Sequence, residues 1–154
     1  MKELMNRALD LARLRGANYA DMRVVHNHTE NIAVRDGVVE SLNSAESEGF
    51  GVRVLVGGAW GFASSRDLTP GEVDRITDQA LEIAHASALV SGDRVDLGPA
   101  VTSQGVYNTP LKTDPFTISL DDKLTLLMAA DAAMSKVSGV RTRRSNISLM
   151  REHK

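Results

Sequence analysis

His26, His28 and Glu30 recur at every second position of an extended stretch, so a regular strand turns all three toward one side. Two imidazoles and a carboxylate are donors that zinc accepts. The same residues, interleaved with Asn27, Thr29 and Asn31, also describe a polar strand end with three solvated side chains. His26, His28 and Glu30 are therefore weak candidate ligands, and no metal site is assigned. A hydrolytic zinc centre also needs a carboxylate that positions and deprotonates the metal-bound water. No His-Glu-x-x-His or His-Glu-x-x-x-His segment occurs, and His85 has no second His one helical turn away. No catalytic residue is assigned.

The other reactive residue types point to packing. Ser64 and Ser65 end a strand-like run without a recognisable base or oxyanion donor, so they read as polar strand-end residues. Gly49, Gly51, Gly57, Gly58 and Gly61 lie in a hairpin pattern without the Lys and the ordered Gly-rich loop of a phosphate cradle. Arg141, Arg143 and Arg144 form the one compact basic group on an extended segment. Without a ladder of aromatic residues for bases to stack on, surface or interdomain pairing is favoured over phosphate contact.

Composition narrows the classes further. The 154 residues are 42% hydrophobic, enough for one buried core. A formal charge of -2 gives no global electrostatic case for nucleic acid. The absence of Cys removes disulfides, thiolate nucleophiles and Cys-based metal sites, and it is compatible with a reducing cytoplasm. Apolar runs are short and broken by charge, so no membrane passage is expected. The opening residues lack the order of a secretory signal.

The elements that must position these residues follow from periodicity. Leu4, Ala8, Leu11 and Ala12 make residues 2–15 an amphipathic helix that Gly16 closes. Strands are expected at 20–26, from about Glu30 to the Asp36-Gly37 turn, over 39–45, and at 49–56 paired with 59–65 through Gly57-Gly58. A two-residue turn there sets Val56, Val54 and Val52 against Ala59, Gly61 and Ala63, leaving room for a helix on that face. The opposite face carries Arg53, Leu55, Trp60 and Phe62 and requires a cover, whether a partner surface or a neighbouring domain. Thr69-Pro70-Gly71-Glu72 is a reciprocal capping box. It opens a helix to about residue 88 with Val73, Ile76, Ala80, Ile83 and Ala84 on its apolar stripe. Gly and Pro make residues 91–115 a linker or extended crossing segment. Ser119 caps a third helix with Leu120, Leu124, Leu127, Met128 and Met134 inward, ending near Gly139, and an extended element follows from Val140. The fold class is α+β, an antiparallel β-meander packed with amphipathic helices.

Taken together, Tyr19-Ala-Asp-Met-Arg, Val34-Arg-Asp-Gly-Val-Val-Glu, Gly49-Phe-Gly-Val-Arg-Val and Gly58-Ala-Trp-Gly-Phe-Ala-Ser-Ser resemble, in order and spacing, the amino-terminal domain of the TldD/PmbA family. That resemblance implies that the chain is the first third of a longer zinc-dependent peptidase acting on unfolded peptides. It places the zinc ligands and catalytic Glu in a later region, so none transfers to a position here. Residues 1–90 are then the α+β domain, 91–115 the connection, and 116–154 a helix and the incomplete start of the next domain. It also implies a homo- or heterodimer with a TldD/PmbA-family subunit, a cytoplasmic protein, no membrane and no nucleic acid partner. Arg53, Leu55, Trp60 and Phe62 are the expected interface or peptide-binding residues, in a chain inactive by itself. The alternatives are a non-catalytic binding or structural partner subunit and, more remotely, a nucleic-acid-associated modulator.

Overall fold

A computed structural model describes residues 1–90, 94–99 and 102–154. Ser91, Gly92, Asp93, Ala100 and Val101, part of the expected 91–115 linker, lie outside the described residues. The elements run α1 (Lys2–Leu14), β1 (Tyr19–Arg35), β2 (Val38–Val56), β3 (Ala59–Ser65), α2 (Pro70–Val90), a 3-10 turn (Pro115–Thr117), α3 (Leu120–Ser135) and β4 (Arg144–His153). The fold is α+β, with an antiparallel sheet in the order β3-β2-β1-β4 and helices packed on it.

Two pairs of expected strands are continuous. The stretches at 20–26 and from Glu30 merge into the 17 residues of β1, and those at 39–45 and 49–56 merge into the 19 residues of β2. The polar residues read as breaks stay in the ladder, half-buried from Asn27 to Thr29 in β1 and exposed at 46–48 in β2. Both hairpin turns have two residues of positive φ, Asp36 and Gly37 in one and Gly57 and Gly58 in the other, which matches the twist of the flanking strands.

By its internal packing the chain divides into two units, Met1–His26 with Glu48–Ser103 and Lys154, and Asn27–Ser47 with Gln104–His153. In the first unit α2 packs on β3 and α1 packs on α2. Ala8 and Ala12 of α1, Val52, Val54 and Val56 of β2, and Val73, Ile76, Ala80, Leu81 and Ala84 of α2 close the core. The expected β2–β3 register is observed, with Val52 opposite Ala63, Val54 opposite Gly61 and Val56 opposite Ala59. A Cβ at Gly61 would lie 1.9 Å from the Ala80 carbonyl oxygen, so the missing side chain is what lets α2 approach β3. Helix α1 ends in a Schellman motif: Gly16 N–H donates to Arg13 O and Ala17 N–H to Ala12 O.

The expected stripe of α2 is corrected at one position. Ile83 faces outward, and Thr77 and Leu81 are buried instead. Thr77 tolerates burial because its hydroxyl donates to the Val73 carbonyl at 2.7 Å. Half of the expected capping box forms: Glu72 N–H donates to Thr69 Oγ1 at 3.3 Å, while the Glu72 carboxylate takes two bonds from Arg75. Thr69 N–H turns to the Asp67 carbonyl.

In the second unit Ile32, Val34 and Leu127 are buried, with Leu124, Met128 and Ile147 against them. Ser119 caps α3 as expected, accepting from Asp122 N–H at 3.1 Å. Its inner face differs from the Leu/Met reading, because Leu120 is exposed while Lys123 and Asp131 are buried. Each has a partner that removes the cost of burying a lone charge: Lys123 Nζ lies 2.8 Å from Glu30 Oε1 and Arg143 Nε 3.1 Å from Asp131 Oδ1. Arg143 N–H also donates to Asp36 Oδ1, and Asp36 N–H to the Arg143 carbonyl, which ties the start of β4 to the β1–β2 turn.

Candidate interaction site

Strand alternation carries Arg53 and Leu55 of β2 to one face, opposite Phe62 and Trp60 of β3. The neighbouring strand β1 begins with Tyr19 and Asp21, and these complete the site. Asp21 Oδ2 accepts from Arg53 Nε at 2.8 Å and from Arg53 Nη2 at 2.7 Å, a fork that fixes the guanidinium plane. Held there, Arg53 Cζ lies 4.7 Å from the centre of the Trp60 ring. Tyr19 meets Trp60 edge to face, with ring centres 5.7 Å apart. The bonds that Arg53 donates to Asp21 raise its pKa above the ordinary value, so the guanidinium stays charged and its charge is compensated locally.

Tyr19, Arg53, Leu55 and Trp60 line an open cleft of about 700 Å³ together with Asn18, Gly58 and residues 95–99, and Asp21 holds Arg53 from outside the lining. Leu55 is its buried floor at 4% exposure. Residues 94–99 supply part of the cover that this face requires: Val95 N–H donates to the Gly58 carbonyl at 2.9 Å, and the Arg94 side chain lies against Gly58. The structure therefore brings Arg53, Leu55 and Trp60 together. Phe62 stands outside the lining, resting on Gly51 and 57% exposed. Tyr19, Asp21, Asn18 and the segment from Val95 to Pro99 are the members that sequence reasoning missed. The matching alternation of Tyr19 and Asp21 could have flagged the first two, but their approach to Arg53 depends on pairing between strands.

Of the three candidate ligands His26 is exposed, while His28 and Glu30 have separate partners. His28 Nε2 lies 3.3 Å from Ser44 Oγ, and its ring stacks on Phe116 with centres 4.5 Å apart. Glu30 is committed to Lys123. Among the described residues no group of three or more His, Cys, Asp or Glu side chains could hold a metal ion.

Arg143, just before β4, and Arg144 and Arg151 within it are also paired. Arg144 Nη2 lies 3.0 Å from Glu40 Oε2, and Arg143 contacts Asp131 and Asp36. Arg151 pairs with Asp114 and stacks on Phe116, with Cζ 4.5 Å from the ring centre. The bond that Asp114 accepts from Phe116 N–H, followed by Arg151, lowers its pKa. No helix among the described residues is long and apolar enough to cross a membrane.

Residues 20–84, which hold the β2–β3 hairpin, most of α2 and the Arg53, Leu55, Gly58 and Trp60 part of the cleft, match the model of the PmbA/TldA metallopeptidase domain 1. The amino-terminal region of the chain matches the first domain of the PmbA/TldD family. The chain is 30% identical over 122 residues to a metalloprotease of Methanothermobacter thermautotrophicus, covering 79% of the chain and 25% of the relative. It is 25% identical over 111 residues to a metalloprotease of Methanocaldococcus jannaschii, covering 72% of the chain and 25% of that relative. The chain thus spans about a quarter of the length of these curated relatives. A solved structure from Bacteroides thetaiotaomicron, described as a candidate modulator of DNA gyrase, matches with a TM-score of 0.74 and 20% identity over 98% of this chain and 35% of that one. TldE of Thermococcus kodakarensis matches with a TM-score of 0.65 and 14% identity over 97% and 34%. At these identities the two structures show a shared fold.

Proposed function

We propose that this chain is the recognition and assembly region of a zinc-dependent metallopeptidase that acts on unfolded peptides, with the catalytic residues carried outside it. The PmbA/TldD match and relatives named metalloproteases support the peptidase half of this reading. The observation that carries the recognition half is the Trp60 cleft. An aromatic wall, a pre-oriented Arg53 and an apolar floor at Leu55 offer contacts to an extended chain through stacking and burial, without demanding one sequence. Zinc belongs to the catalytic part, and no step of hydrolysis is assigned to residues of this chain. A homo- or heterodimer with another PmbA/TldD subunit and a cytoplasmic setting belong to the same proposal, and the lack of Cys is in keeping with the latter.

A second reading is that the face packs on another part of the complete protein and that the chain is a non-catalytic partner. The burial of Leu55 and the cover from residues 94–99 favour it. A nucleic-acid-associated role has less support, since the net charge is -2 and Arg143, Arg144 and Arg151 are paired with carboxylates.

The test compares the complete protein with its Trp60→Ala variant, after circular dichroism establishes that both are folded. Light scattering gives the assembly mass, and fluorescence anisotropy gives affinity for labelled, reduced and carboxymethylated lactalbumin. Loss of Trp60 is expected to weaken binding about tenfold, the effect of removing an aromatic anchor. Unchanged mass and unchanged affinity together refute the reading.

A further inference from the structure

Helix α3 buries Lys123 and Asp131 yet leaves Leu126 65% exposed, and Val137, just past its end, is 58% exposed. Ala129, Ala130 and Ala133 are exposed between them. Positions 126, 130, 133 and 137 follow the alternating spacing that keeps side chains on one stripe of a helix, with Ala129 beside it. Leu124, Leu127 and Met128 pack on the inner side, so apolar residues run all the way round α3. A helix with that pattern is normally covered on both sides.

We propose that the outer stripe is where a second copy of this chain docks, α3 against α3 in antiparallel orientation. The proposal rests on the assembly half of the proposed function and gives it a surface on an element other than those of the Trp60 face. A two-fold axis between Ala129 and Ala130 sets Leu126 against Ala133 of the partner subunit. Bulk then meets a small side chain, and the helix axes can close to about 8 Å. Asp122, in the first turn of α3, and Lys136, its C-cap, flank the same side of the stripe. At 1.5 Å per residue they stand roughly 10 Å to either side of that axis, so Asp122 faces Lys136 of the partner subunit. Lys136 is exposed and has no ion-pair partner among the described residues. A parallel pairing in register would instead bring like charges together, which makes the antiparallel pair the complementary one. Contact through one helix face per copy is at the small end of protein interfaces, so the expected Kd is on the order of 10 μM.

The chain has no Cys, so one introduced thiol reports on one position. At roughly 100 μM chain, about ten times the expected Kd, Ala130→Cys should oxidise to a disulfide-linked dimer. Ala86→Cys, on the exposed side of α2, should stay monomeric under the same conditions. Sedimentation equilibrium of the Cys-free chain gives the Kd, after circular dichroism establishes that each variant is folded. Leu126→Glu should weaken the dimer at least about tenfold, with thermal unfolding little changed because the side chain is exposed. Asp122→Lys and Lys136→Asp should each weaken it about fivefold, and the two together should restore it. A chain that remains monomeric, or a dimer that Leu126→Glu leaves intact, overturns the proposal. Loss of dimer on Leu126→Glu without restoration by the charge exchange overturns the antiparallel pairing. A disulfide that forms in this chain but not in the complete protein assigns the stripe to another part of that protein and overturns the second copy. A dimer dispersed by Trp60→Ala but not by Leu126→Glu leaves the assembly reading standing and removes α3 from it.

Discussion

Gly61 and Glu72 show how much single residues of this domain are held by their surroundings. A methyl group at Gly61 would meet the Ala80 carbonyl oxygen at 1.9 Å and the Ala84 nitrogen at 2.6 Å, both backbone atoms of a packed helix. Because α2 cannot yield there without leaving the core, Gly61→Ala is expected to destabilise the fold by about 3 kcal/mol, read from denaturant unfolding. At Glu72, bonds from Arg75 and then Ser65 bring the carboxyl pKa from 4.5 to about 2. A depressed folded-state value stabilises the fold above the unfolded value. That contribution should therefore be intact above pH 4.5 and fade as the pH falls toward about 2. Arg75→Gln should return the Glu72 titration toward 4.5, which carboxyl NMR can follow directly.

At the scale of elements, the pairing of α1 with α2 combines apolar packing with a forked ion pair. Arg7 Nε and Nη2 donate to the two carboxylate oxygens of Asp74 at 2.7 and 2.6 Å, and the Asp74 pKa is lowered chiefly by those bonds. Both groups are solvent-accessible, so a double-mutant cycle with Arg7→Ala and Asp74→Ala should give a coupling of only about 0.5 kcal/mol. The helices should stay together in both variants, because Ala8 and Ala12 remain buried in the core. The start of α2 is a second case. Thr69→Ala removes one cap bond and should lower stability by about 1 kcal/mol in thermal or denaturant unfolding.

For the molecule as a whole, the expected outcome is recognition without turnover. Fluorescent unstructured peptides incubated with the 154-residue chain, with and without added zinc, should show no hydrolysis. Turnover that copurifies with the chain would place a reactive centre among residues that offer no metal-binding group within the described structure. The Trp60→Ala comparison belongs to this scale also, since assembly and peptide binding are properties of the complete protein.

The local architecture was legible in the sequence because it depends on short-range chemistry. The Gly57-Gly58 turn, the β2–β3 register it sets, the helices at α1 and α2, and the Ser119 cap all follow from neighbouring residues and simple periods. The α+β class followed as well. The continuity of β1 and β2 was hidden, because polar residues on an open strand look locally like a loop. Burial of Lys123 and Asp131 was hidden for a related reason: whether a charge can enter a core depends on partners far away in sequence, here Glu30 and Arg143. The cleft shows the same division. Alternation put Arg53, Leu55, Trp60 and Phe62 on one face, while tertiary structure brought Asp21 to Arg53, Tyr19 to Trp60 and residues 94–99 across Gly58. Strand period is a property of the local backbone, whereas the cover of a face is decided by whichever distant segment can satisfy its hydrogen bonds and apolar surface.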